Sequence, residues 1–267
     1  MPATQRRPLV LITGASSGIG EALSHCFAQA QHDLVLVARS ADKLQALARQ
    51  IEAQYPSRVQ VVPLDLTLPD GTHQLATALK ARRRLPDVLV NCAGVLAQQP
   101  FVRMKSADHQ GVIDLNISAL TAIMSHFLPL MIKRGSGRVL NVASIAAFQP
   151  VPLLATYAAS KAYVLSLTES LSQELQGSGV SITALCPGIT ATPMLQAATQ
   201  GNAQLNQLPG FLIGDVQDVA RQGFEACMKG DVICVPGIIN QAAVLASRST
   251  PKWLMRRVSD LLSRLAS

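Results

Sequence analysis

Apolar residues fall along this chain in short unbroken runs separated by longer amphipathic stretches. Leu9-Val10-Leu11-Ile12 and Leu34-Val35-Leu36-Val37 are apolar at every position, the pattern of strands covered on both faces. Runs of this kind predict strands near 8–13, 33–38, 59–64, 87–91, 138–143, 181–186 and 231–235. Between them the spacing is helical. Leu23 and Phe27 lie four apart within 21–29, and further helices are expected at 42–54, 70–84, about 107–134 and 156–177. Strand alternating with helix predicts an α/β fold, a doubly wound parallel sheet with helices on both faces. Ligands of such sheets bind beyond the carboxyl ends of the strands. Thr13, Ala38, Asn91, Ala143 and Cys186 close five of the predicted strands, so the motifs after them are expected to converge on one crevice.

Composition agrees with that class. At 267 residues, 49% hydrophobic and 15% charged, the chain suits one large domain with a buried parallel sheet and argues against disorder. No repeat, low-complexity tract or long linker marks a boundary, so one domain is expected over 1–267, its core at about 1–235. The apolar run near the N-terminus is too short for a secretory signal or a membrane span. Cys26, Cys92, Cys186, Cys227 and Cys234 are widely spaced and odd in number, which fits free thiols in a reducing cytoplasm. His25, His32, His73, His109 and His126 are equally scattered, and no metal is expected. Net charge is +7, but no aromatic platform or nucleic-acid module accompanies it. Arg82-Arg83-Arg84 reads as the solvated end of a helix, and much of the remaining excess lies in the last twenty residues.

Candidate chemistry begins where the first strand meets Thr13-Gly14-Ala15-Ser16-Ser17-Gly18-Ile19-Gly20. Strand, glycine-rich turn and helix form the phosphate-binding start of a βαβ unit. Gly14 would permit the sharp turn, Gly18 the approach of a pyrophosphate to the helix N-terminus, and Gly20 close packing of helix on strand. The same segment alone could be an ordinary turn. Arg39-Ser40 follows the second strand, where an acidic residue would accept bonds from an adenosine 2′-hydroxyl. A guanidinium there suits a 2′-phosphate instead, with Lys43 one turn on; a solvated cation is the other reading.

Tyr157 and Lys161 stand four apart on a predicted helix and so share a face, with Ser144 thirteen positions upstream. A close ammonium lowers a phenol's pKa and would let Tyr157 move a proton, while a hydroxyl such as Ser144 holds the reacting oxygen. Packing and solvation alone would also account for this pair.

Taken in order, these segments resemble the short-chain dehydrogenase/reductase family. The matching pieces are Thr13 to Gly20, Asp65, Asn91-Cys92-Ala93-Gly94, Asn116, Ser144, Tyr157-x-x-x-Lys161 and Pro187-Gly188. The resemblance implies a Rossmann fold and an active site of Ser144, Tyr157 and Lys161, with Asn116 completing a proton relay through water. It puts Gly14, Ser16, Ser17, Gly18, Ile19 and Gly20 against the cofactor's phosphates, and Asp65 and Leu66 against adenine, although a plain turn-capping aspartate would look the same. Asn91, Ala93 and Gly94 would pass close to the cofactor, and Lys161 would also hold the nicotinamide ribose. Pro187, Gly188, Ile189 and Thr190 would form the nicotinamide-side loop, with the Thr190 hydroxyl near the carboxamide. Arg39 implies NADP, and the long helices imply a homodimer or homotetramer. Cys92 departs from the family, which more often has a second asparagine there.

The resulting expectation is an NADP-dependent oxidoreductase moving hydride between nicotinamide and a carbonyl or alcohol. Residues 191–214 form a variable lid whose Met194, Leu195, Phe211 and Leu212 suggest an apolar ketone or aldehyde, with Met194 at the substrate. The alternative is a catalytically idle NADP-binding sensor or scaffold. A helical tail is expected over 238–267. Within 251–267 it sets Leu254, Val258, Leu261, Leu262 and Leu265 on one stripe, with arginines on the other side. It could pack on the subunit, cover the cleft, or make weak contact with an anionic membrane surface.

Overall fold

A computed structural model describes residues 6–80, 84–199 and 212–249. Seven parallel strands form one sheet: β1 (Leu9–Thr13), β2 (Asp33–Ala38), β3 (Val59–Pro63), β4 (Val88–Asn91), β5 (Gly137–Val142), β6 (Val180–Leu185) and β7 (Ile233–Cys234). Their order is β3-β2-β1-β4-β5-β6-β7. The chain therefore winds outward from β1 in one direction and, after β3, from β4 in the other. The crevice between β1 and β4 is the switch point where such sheets bind ligands. Register places Thr13 beside Asn91, and Asn91 beside Asn141.

Helices cover both faces, as the unbroken apolar runs require. On one face α1 (Gly18–Gln29), α2 (Ala41–Gln54) and α8 (Val216–Lys229) pack Leu23, Phe27, Leu44, Ile51 and Cys227 onto Val10, Ile12, Leu36 and Leu140. On the other, α3 (Gly71–Lys80), α5 (Leu120–Arg134) and α6 (Ala155–Glu174) pack Leu75, Ile123, Phe127 and Val164 onto Leu11, Val37 and Val139. Asp215 caps α8, its carboxylate accepting the Gln217 and Asp218 amides. The remaining helices are α4 (Ser106–Ile113), α7 (Pro193–Thr199) and α9 (Ile238–Ser249).

The long helix expected at about 107–134 is present but not uniform. A π turn over Asp114–Ala119 joins α4 to α5. Apolar periodicity passes through it without a visible break, so the sequence reads as one regular helix. Ser106–Arg134 has the length and apolarity of a membrane-crossing helix, yet Ile123, Met124, Phe127 and Met131 are buried against the sheet.

Two expectations fare differently at the margins. Arg84 is not a solvated helix end: it lies beyond α3, pairs with Asp33 at 2.8 Å and is only one-fifth exposed. The sequence offered no sign of this, because the two are 51 residues apart. Arg82 and Arg83, Phe211, and the 251–267 stripe lie outside the described residues.

Candidate active site

The glycine turn follows from steric limits. Gly14 has φ +68, and a Cβ there would lie 2.7 Å from the backbone N and Cα of Ala93. Gly18 has φ +59 and opens α1, where Ser17 is an extended N-cap without a side-chain cap bond. A Cβ on Gly20 would meet the Gly14 carbonyl at 2.3 Å. Thus Gly20 packs against the turn itself rather than against the strand. Thr13 ties the turn to the next loop: its hydroxyl accepts the Cys92 and Ala93 amides, each at 3.1 Å. No sequence pattern marks that role.

Arg39 is exposed at the end of β2, Ser40 is the N-cap of α2, and Lys43 is exposed one turn later. Asp65 makes the turn-capping bonds that were one of its two readings. It accepts the Thr67 amide at 2.9 Å and hydroxyl at 2.7 Å, and those bonds hold its carboxyl below the usual range. The Leu66 side chain is buried in the core. Asn91 points into the sheet, donating to Asn141 at 2.8 Å, and Asn141 donates to Thr168 of α6 at 3.0 Å.

Gly94 faces the relay residues: a Cβ there would lie 3.3 Å from Asn116 Oδ1 and 3.5 Å from Lys161 Nζ. Asn116 sits in the π turn, and its side chain makes three hydrogen bonds. Oδ1 accepts the Val95 amide at 2.9 Å, while Nδ2 donates to the Val95 carbonyl and to Ser160 Oγ, both at 3.0 Å.

Ser144 lies two residues past β5 and caps the short turn at Ile145–Ala147, accepting the Ala146 amide at 3.1 Å. Its hydroxyl is also near enough to Tyr157 to draw the phenol pKa down. Lys161 Nζ donates to the Val142 carbonyl at 2.8 Å and lies 5.7 Å from the centre of the Tyr157 ring. Both side chains are buried, Tyr157 at 9% and Lys161 at 6% exposure. Burial decides their acidities. It pushes the Tyr157 phenol up, against a smaller downward pull from Ser144. It pushes Lys161 down to about 8, against the upward pull of the Cys92 and Cys186 thiols. This corrects the expected direction for Tyr157: as the site stands, desolvation sets the shift and outweighs the pull of Ser144.

The loop after β6 returns over the glycine turn. Pro187 accepts the Ile145 amide at 2.9 Å, and a Cβ on Gly188 would strike Asn240 of α9 at 2.5 Å. The Ile189 carbonyl accepts the Gly214 amide at 2.7 Å, joining the two ends of the 191–214 segment. The Thr190 hydroxyl does not reach outward as expected; it is 7% exposed and donates to the Gly188 carbonyl at 3.0 Å. Thr192 instead faces the turn, its methyl 3.2 Å from where a Gly18 Cβ would stand. Two hydroxyls two residues apart look alike in sequence, and only the backbone bend separates them. Met194 is 39% exposed on α7. Leu96, Val151 and Leu154 pack around Tyr157, giving it an apolar wall. His109, without a role in sequence, bridges Thr156 Oγ1 at 2.6 Å and the Phe101 carbonyl at 3.3 Å.

The buried lysine, the glycine turn in which Gly14 and Gly20 leave no room for a Cβ, and the exposed guanidinium after β2 fit a phosphorylated dinucleotide in the crevice. Among the described residues no cluster of His, Cys, Asp and Glu could hold a metal ion.

Comparison with known proteins agrees with this arrangement. The short chain dehydrogenase profile matches residues 8–203. A 3-oxoacyl-(acyl-carrier-protein) reductase of Thermotoga maritima is 32% identical over 213 residues, covering 79% of this chain and 86% of the relative. A short-chain dehydrogenase from Sphingobium yanoikuyae, solved in complex with NADPH, is 30% identical with a TM-score of 0.79, covering 93% of this chain and 95% of that one. A bulky-bulky ketone specific alcohol dehydrogenase from Comamonas testosteroni is 25% identical with a TM-score of 0.77, covering 93% and 96%.

Proposed function

The chain belongs to the short-chain dehydrogenase/reductase family, and on that premise we propose that it is an NADP-dependent oxidoreductase that reduces an apolar ketone or aldehyde. The observation that carries this reading is the meeting of Ser144, Tyr157 and buried Lys161 beside the glycine turn. The cofactor, when bound, supplies hydride to the carbonyl carbon. Gly14, Gly18 and Gly20, with Ser16, Ser17 and Ile19, receive its pyrophosphate at the N-terminus of α1. Arg39, Ser40 and Lys43 take the 2′-phosphate, and Asp65 and Leu66 border adenine. Asn91, Ala93 and Gly94 contribute backbone to one side; Pro187, Gly188, Ile189, Thr190 and Thr192 cover the other.

Tyr157 is the acid. Its raised pKa keeps it protonated at neutral pH, as carbonyl reduction requires, while Ser144 holds the substrate oxygen. As the proton leaves, the Lys161 ammonium, 5.7 Å from the centre of the ring, favours the phenolate. Lys161 also holds the ribose, and Asn116 passes the proton onward through water.

Leu96, Val151, Leu154 and Met194 support an apolar substrate, and the named relative that acts on bulky ketones is consistent with one. Exposed Ile132 on α5 and Tyr163 on α6 support assembly as a homodimer or homotetramer. Cysteines outside any disulfide fit a cytoplasmic setting. A panel of polar aldehydes, apolar ketones and acyl thioesters, followed by loss of NADPH absorbance, tests the reading. Fastest turnover is expected with an apolar ketone. NADPH binding without turnover of any member would favour the idle sensor instead.

A further inference from the structure

The crevice uses the carboxyl ends of the strands, but two adjoining cavities open at their amino ends. Pro8, Val88, Gly137, Arg138, Val180 and Val232 stand at or just before the starts of β1, β4, β5, β6 and β7 and line a cavity of about 630 Å³. Its neighbour, about 420 Å³, shares Pro8, Asp87 and Arg134 and adds Arg6 and Arg7. Arg84 joins this group by donating to the Arg7 carbonyl at 2.5 Å.

Charge at this end is unbalanced. Asp33 is held by Arg84 at 2.8 Å and by the Arg58 amide at 3.2 Å. Asp87 is held by Arg134 at 3.2 Å and by the Leu9 amide at 2.7 Å. Arg138 has only neutral acceptors, Ser181 Oγ at 3.4 Å and the Cys227 carbonyl at 3.3 Å. Among the described residues it makes no ion pair. Five arginines thus face two carboxylates that are already engaged, an excess of three positive charges. The carboxyl ends of α5, α6 and α8 also point here, each worth about half a negative charge, so they offset roughly half of the excess. A half-buried guanidinium without a counter-ion, in a cavity of ligand size, suits an anion.

We propose that these cavities bind a small organic phosphate carrying at least two negative charges, with Arg138 as its principal contact. The site is one strand length, about 20 Å, from the crevice, so it is separate from the cofactor. A multiply charged phosphate is favoured over a monocarboxylate because a single negative charge would leave the excess unmet.

Calorimetric titration with inorganic pyrophosphate, at constant ionic strength and in saturating NADPH, tests this. One pyrophosphate per chain is expected. Arg138→Gln should weaken it at least tenfold and Arg6→Ser about two- to threefold, whereas Arg39→Ser at the other end should leave it unchanged. Acetate should bind at least tenfold more weakly than pyrophosphate. Loss of pyrophosphate binding on adding NADPH would assign it to the glycine turn and overturn the proposal. So would unchanged affinity in an Arg138→Gln protein of native melting temperature, or equal binding of acetate. If Arg138→Gln does not fold, the exposed Arg6 variant and the NADPH competition still decide.

Discussion

The two ends of this sheet treat positive charge in opposite ways. At the carboxyl ends Lys161 is buried, makes no ion pair among the described residues and is pushed down to about 8 by desolvation. At the amino ends the arginines are partly solvated, and Arg84 and Arg134 have ion-pair partners. The same charge is therefore a standing cost at one end and a brace at the other. Chemistry needs the first arrangement, because a cation that is poorly solvated responds strongly when a neighbouring phenol loses its proton. Structure is served by the second, in which helix carboxyl ends and strand starts are held by guanidinium forks.

The contrast breaks most visibly at the acid. Tyr157→Phe keeps the ring and removes only the hydroxyl, so turnover should fall about 10²- to 10⁴-fold with NADPH affinity nearly unchanged. Retention of more than about a tenth of kcat in steady-state assays would mean that another group supplies the proton.

A pair of substitutions then compares the ends directly by urea unfolding. Lys161 falls from 10.5 to about 8, a penalty of about 3 kcal/mol on the folded state at neutral pH. Between those values the unfolded chain holds a proton that the folded chain has released, so stability rises as pH climbs from 8 to 10.5. Lys161→Met should consequently gain on the native protein at pH 7, less the loss of the Val142 bond. That advantage should shrink by about 3 kcal/mol by pH 10.5. Arg84→Met should instead lose about 2 kcal/mol, because Asp33 is left buried without its partner. Destabilisation of both variants by the same amount at pH 7, with no pH trend for Lys161→Met, would erase the distinction.

The smallest effect concerns the exposed cation at the crevice. Arg39→Asp should reverse a preference for NADPH over NADH of at least tenfold in kcat/KM, about 1.4 kcal/mol. Equal efficiency of the unmodified protein with both cofactors would remove Arg39 from the 2′-phosphate.

Sheet and helices were legible because each strand is apolar at every position and each helix keeps its period. Strand ends consequently located the motifs, down to Thr13, Asn91 and Ser144. What escaped the sequence depends on contacts between distant segments or on choices within one turn. The Arg84–Asp33 pair and the His109 bridge to Thr156 join elements about fifty residues apart. Thr190 and Thr192 differ only in which way the loop bends. The raised pKa of Tyr157 could not be read from a neighbouring lysine, because burial is a property of the packed site.

The π turn at Asp114–Ala119 sets an angular phase. Each residue of an α-helix advances the face by about 100°, and a π turn absorbs one extra residue within a continuous rod. A chain lacking one residue there would close into a regular helix with the faces on either side still in phase. The same loss elsewhere between 109 and 134 would swing everything upstream by roughly that angle and turn His109 away from Thr156, although no loop had changed length. In alignments of this chain, a one-residue gap at 114–119 therefore leaves the shaft unturned, whereas a gap in the neighbouring turns rotates it.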